Sequence, residues 1–147
     1  MTVCAQGLVI KSSGSTYPTV PRQRLWWKVK ARSVVDLVVI GVIGELAAPS
    51  ALVLARPGGA RSVAVTTVLS RLVARRLWPL LTATGQTWQR TVVWGTSETV
   101  TVQAVEPLVA EVSADVAVDD GPEGGVFRHP VRLLRVRPDL TPEDLVD

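Results

Sequence analysis

The sequence predicts a mainly β protein, a small barrel of short strands carrying one helix. Short runs rich in Val, Ile and Leu recur along the chain, separated by clusters of Gly, Pro, Ser and Asp. Residues 67–78 instead space their apolar side chains as a helix does. Hydrophobic residues make up 47% and charged residues 20% of the 147, the balance of a globular chain rather than a disordered one.

Taken in order, Leu8, Val9 and Ile10 form a strand that ends at Lys11, and residues 12–21 form a Ser/Gly/Thr/Pro loop. Residues 25–32 alternate as a second strand, with Lys28, Lys30 and Arg32 on one face. Like charges so aligned repel, and such a face is expected to oppose an anion. Residues 34–43 form a strongly apolar strand in which Gly41 and Gly44 mark a bend or bulge. Residues 51–55 and 62–66 are two further strands joined by an Arg-Pro-Gly-Gly-Ala turn. Thr67 is expected to cap a helix running to about Trp78. Leu69, Leu72, Val73 and Leu77 follow helical spacing, Arg71, Arg75 and Arg76 fill the remaining positions, and Pro79 stops it. Residues 100–105, 108–118 and 126–136 supply the closing strands, with residues 119–125 as a loop. Strands, a helix after the third of the barrel, then more strands is the order of an OB-fold, a five-stranded Greek-key barrel.

Cys4 is the one cysteine, which excludes an internal disulfide framework or a CxxC zinc site and points to a reducing compartment. The N-terminus has no basic segment followed by a long apolar one, so no signal peptide is expected. The apolar stretch 34–44 is interrupted by Asp36 and falls short of the roughly 20 residues a membrane helix needs. The expectation is a cytoplasmic, nucleoid-associated protein without a membrane partner. Net charge is +3, and 13 of the 16 basic residues are arginine. The arginine fork suits phosphate, although a GC-rich coding sequence gives the same bias.

Against this background, three segments resemble the motifs of ATP-dependent DNA ligases of the bacterial, actinobacterial type. Gln6-Gly7-Leu8-Val9-Ile10-Lys11 is similar to the fourth signature motif of covalent nucleotidyltransferases, normally Glu-Gly-apolar-apolar-apolar-Lys. Trp27-Lys28-Val29-Lys30 is similar to the fifth. The segment from Phe127 to Asp139, containing Arg128, His129, Arg132, Arg135 and Arg137, resembles the C-terminal motif, and Val109-Ala110-Glu111-Val112 resembles a stretch of the same OB domains. The motifs stand in family order and span nearly the whole chain.

The resemblance implies residues 1–32 as the C-terminal remnant of an adenylation domain, 33–141 as the OB-fold and 142–147 as a tail. It implies ATP and Mg²⁺ as cofactors and nicked double-stranded DNA as partner, in repair, recombination or replication. Lys11, Lys28 and Lys30 would hold the nucleotide phosphates, since phosphoryl transfer is catalysed largely by positioning and charge neutralisation. Arg135, Arg137 and Asp139 share a face and would orient the pyrophosphate leaving group, while Arg128 and Arg132 would touch the DNA backbone. Arg56, Arg61, Arg71, Arg75, Arg76 and Arg90 could add phosphate contacts without sequence preference. One indole of Trp26 and Trp27 is expected in the core. His129 lacks a nearby carboxylate in sequence and is expected to make a structural hydrogen bond.

Two departures matter. The family nucleophile is the lysine of Lys-x-Asp-Gly, and the Asp-Gly pair here, Asp120-Gly121, follows Val118 where that lysine would stand. Gln6 replaces a metal-holding glutamate, keeping an acceptor oxygen without the charge that Mg²⁺ prefers. The chain opens almost at the fourth motif, so the expectation is a C-terminal ligase part that cannot adenylate itself alone. A truncated frame, a split gene with a separate N-terminal half, or a decayed copy would each account for this. The alternative is a non-catalytic nucleic-acid-binding OB module derived from a ligase. A third possibility is a product that barely folds, because residues 1–32 would leave strand edges unpaired.

Overall fold

The computed structural model describes residues 7–11, 26–30, 32–59, 61–115, 118–119, 126–127 and 129–145; for residues 7–11, 26–30, 32, 115 and 118–119 it describes the backbone alone. The first two strands, β1 (Gly7–Lys11) and β2 (Trp26–Lys30), pair antiparallel as a ribbon. There follow β3 (Arg32–Glu45), β4 (Ala48–Ala55), β5 (Ser62–Val65), helix α1 (Arg71–Leu77), β6 (Ala83–Trp94), β7 (Thr96–Asp115), β8 (Val118–Asp119), β9 (Val126–Phe127) and β10 (Arg132–Val136). Among the described residues no helix is long and apolar enough to cross a membrane.

The strand order β10-β7-β3-β4-β5 closes on itself. Thr66 and Val131 form a parallel bridge beyond the ends of β5 and β10. There the Val131 N–H donates to the Val65 carbonyl at 2.9 Å and the Thr67 N–H to the Val131 carbonyl at 2.8 Å. Five strands in a ring, with a helix between the third and the fourth, make the expected OB-fold. Thr66 is fully buried at this seam, and its Oγ1 accepts the Leu52 N–H at 3.0 Å.

Alternation along the strands builds two cores. Leu37, Val39 and Val42 of β3, Leu52 and Leu54 of β4, and Ala110 and Val112 of β7 fill one cluster with Val63, Leu77 and Val131. Ala51, Val53 and Val65, on the other faces of β4 and β5, pack with Ile43, Val92 and Val102, and with Trp88 and Trp94. Removing each such Val or Leu from water contributes about 1.5–3 kcal/mol. The second cluster therefore fastens the β6–β7 hairpin onto the outside of the barrel.

That hairpin is not among the elements the sequence predicts, which include none over residues 80–99. It turns at Gly95, whose φ is +86°, and pairs Trp94 with Thr96 and Thr87 with Gln103. Of the two strands expected over residues 100–105 and 108–118, residues 100–115 belong to one, β7, which pairs with β6 at its first half and with β10 at its second, and Val118 opens the short β8. The closing segment 126–136 is likewise two short strands, β9 and β10. The expected bulge in β3 is present: its register against β4 shifts at Gly41 and again at Gly44. A Cβ at Gly41 would stand 2.5 Å from Val102 Cγ1 and 2.7 Å from the Trp88 ring, so the hairpin crosses β3 where a side chain is missing.

The helix starts later than expected. Its N-cap is Ser70, whose Oγ accepts the Val73 N–H at 3.3 Å, and not Thr67. The backbone of Thr67 is committed to the barrel seam instead. The last turn tightens into a 3₁₀ turn over Trp78–Leu80, with Pro79 inside it.

Candidate functional site

The ribbon register pairs Gly7 with Lys30, Val9 with Lys28 and Lys11 with Trp26. Directly opposed positions of an antiparallel pair belong to one face, so positions 11, 28 and 30 fall on a common face of the ribbon. Arg32 is not part of that strand; it opens β3, opposite Asp115. Gln6 and Arg128 lie outside the described residues, as do the side chains of Trp26 and Trp27.

The C-terminal cations come together on the barrel. Register sets Asp36 opposite Glu111 and Glu111 opposite Arg135, one row across β3, β7 and β10. Both Nη2 and Nε of Arg135 donate to Glu111 Oε2, at 3.1 and 3.3 Å. Beyond β10, Arg137 is anchored by its N–H to the Val109 carbonyl at 2.7 Å. Its guanidinium donates to both oxygens of Asp139 and stands 4.0 Å from Glu111 Oε2. The hydrogen bond from Arg137 holds the Asp139 carboxyl below the usual aspartate range, and the Arg137 pKa is raised in turn. Arg135, Arg137 and Asp139 thus meet as anticipated, but with Glu111 as a partner the sequence reading did not assign. Its position across from Arg135 depends on the pairing of β7 with β10, which neither strand encodes alone. Both arginines already hold carboxylates, so an incoming phosphate competes with Glu111 and Asp139 for the same donors.

Arg132 is exposed on β10. Arg71, Arg75 and Arg76 are exposed on α1, and Arg61 is exposed ahead of β5. Arg90 and Arg56 are half-buried: Arg90 Nη1 donates to Ser62 Oγ, and Arg56 stacks over the Phe127 ring with its guanidinium carbon 5.5 Å from the centroid. His129 is exposed and, with Arg90, Trp94, Phe127 and Pro130, lines a pocket of about 120 Å³. The outer face of β4, part of the surface through which OB barrels commonly take nucleic acid, is buried under the hairpin at Ala51 and Val53. Of these basic groups, Arg90 lies on the hairpin itself.

Among the described residues no cluster of three or more His, Cys, Asp or Glu is arranged to hold a metal ion.

The chain is similar in fold to the ligase domain of M. tuberculosis LigD, with a TM-score of 0.56 and 24% sequence identity. The likeness covers 97% of this chain and 47% of that one, so the chain spans about half the length of the domain it matches. No protein-family model matches the sequence, and no curated protein matches it.

Proposed function

We propose that this chain serves as the C-terminal part of an ATP-dependent DNA ligase, a phosphate-holding strand ribbon followed by a DNA-clasping OB barrel. The observation that carries the reading is the β1–β2 register, which gathers positions 11, 28 and 30 on one face. Three lysines so grouped would neutralise a nucleotide's phosphates from one side. Supporting it is the likeness in fold to a ligase domain over 97% of the chain. Arg135 and Arg137 would exchange Glu111 and Asp139 for the pyrophosphate of ATP, while Arg128 and Arg132 would meet the DNA backbone. Because no Lys-x-Asp-Gly occurs in these 147 residues, the adenylated lysine would be supplied from outside them.

The test has two arms. Incubated with α-labelled ATP and Mg²⁺, the chain alone is expected to give no covalently labelled band on a denaturing gel. A band lost on changing Lys11, Lys28 or Lys30 would put the nucleophile within the chain and overturn that account. With nicked duplex, binding is expected to weaken linearly in log–log as salt rises. Failure to retain duplex even at low salt would sink the DNA-clasping role.

A further inference from the structure

Arg90 is the half-buried cation of the hairpin, and its charge is not balanced from within. Its Nη1 is taken up by Ser62 Oγ, and its Nε is buried with no hydrogen-bond partner. Among the described residues no carboxylate pairs with it. Burial alone shifts its pKa, downward, with no acidic group acting against it. A guanidinium stays charged in a protein, and a desolvated charge without a counter-charge is costly. Arg135 and Arg137, which do have carboxylates, show what this barrel does with arginines whose partner lies inside the chain.

The surroundings of Arg90 define the missing partner. It opens onto the pocket formed by Thr91, Trp94, Phe127, His129 and Pro130. The pocket's volume of about 120 Å³ is well above the roughly 10–15 Å³ that a single water needs, so it can admit a tetrahedral oxyanion.

We propose that this pocket is a phosphate site, in which Arg90 holds one phosphate oxyanion beside His129, Trp94 and Phe127. The phosphate comes from a DNA backbone seated against the hairpin or is a free inorganic ion. The first source rests on the ligase reading above; the site itself does not.

The test uses the full chain with Arg90→Gln and Arg90→Lys, each first checked for folding by thermal melting. Arg90→Lys keeps the charge and loses the fork, so it remains informative should Arg90→Gln fail to fold. The probes are inorganic phosphate, followed through the Arg90 Nε–H cross-peak in a ¹⁵N spectrum, and a fluorescent DNA duplex titrated over a salt series. A DNA-borne phosphate is expected to give several-fold weaker duplex binding in Arg90→Gln, with the log–log salt slope reduced by about 1. If duplex does not bind but phosphate moves the Arg90 cross-peak saturably at equal ionic strength, the site stands as one for free phosphate and the DNA-clasping role falls. Duplex binding unchanged in affinity and slope in both variants, with a cross-peak indifferent to phosphate, overturns the proposal.

Discussion

Arg137 and Asp139 hold each other across a single intervening proline: Nη2 lies 2.7 Å from Oδ2, and Nε lies 3.0 Å from Oδ1. The clasp is exposed, and its consequence is a titration. The Asp139 carboxyl is held down first by its hydrogen bond to Arg137. A depressed folded-state pKa contributes stability that is present above the unfolded value and lost as pH falls through the folded one. Melting temperatures of the wild type and Asp139→Asn are therefore expected to differ by a small constant amount from neutral pH down to about 4, and to converge below it. A gap that widens on acidification would contradict the assignment.

Gly41→Ala tests the crossing of the hairpin over β3. The added methyl meets Val102 and Trp88 inside van der Waals contact, and overpacking of this kind costs about 1–3 kcal/mol. Denaturant unfolding should show that loss, with a changed Trp88 environment in the fluorescence spectrum. Unaltered stability would mean that the hairpin stands further off than described.

Thr66→Val removes the acceptor for the buried Leu52 N–H while nearly preserving volume. The expected loss is about 1–3 kcal/mol, the cost of an unsatisfied buried donor. Thr66→Ser retains the hydroxyl and should recover most of it. A Thr66→Val variant as stable as the wild type would remove the hydrogen bond to Leu52 from the account.

Ser70→Ala and Thr67→Ala separate two readings of the same helix start. With Ser70 as N-cap, its alanine variant is expected to lose about 0.5–2 kcal/mol. Thr67 contributes its backbone to the seam and is exposed, so its variant should melt close to the wild type. The reverse order would restore the cap the sequence suggests.

The barrel strands were legible because their apolar runs are bounded by turn residues and because Gly41 and Gly44 interrupt the longest of them where the register shifts. The hairpin was not, although Trp88, Arg90, Val92 and Trp94 alternate with Gln89, Thr91 and Val93. Its apolar face packs outside the barrel, against the second face of β4 and β5, a partner that its own residues do not specify. The cap was misread because Thr67 and Ser70 are equally suited to it by residue type, and only barrel closure distinguishes them. Within the site, the i, i+2 spacing of Lys28 and Lys30 was readable, whereas the alignment of Lys11 with them depends on the strand register. The clustering of Arg135, Arg137 and Asp139 was readable as well, while Glu111 entered through pairing between strands distant in sequence.

The seam between Thr66 and Val131 bears on how the chain comes to fold. A chain emerging from the ribosome has β3, β4 and β5 available long before Val131 has been synthesised, and an unclosed sheet presents the free edge of β5 to any neighbour. Contacts so distant along the chain also slow folding. The interval before the last strand docks is thus the period of greatest exposure to misassembly, and changes at Val131 should lower soluble yield during synthesis as well as the melting temperature of the folded protein.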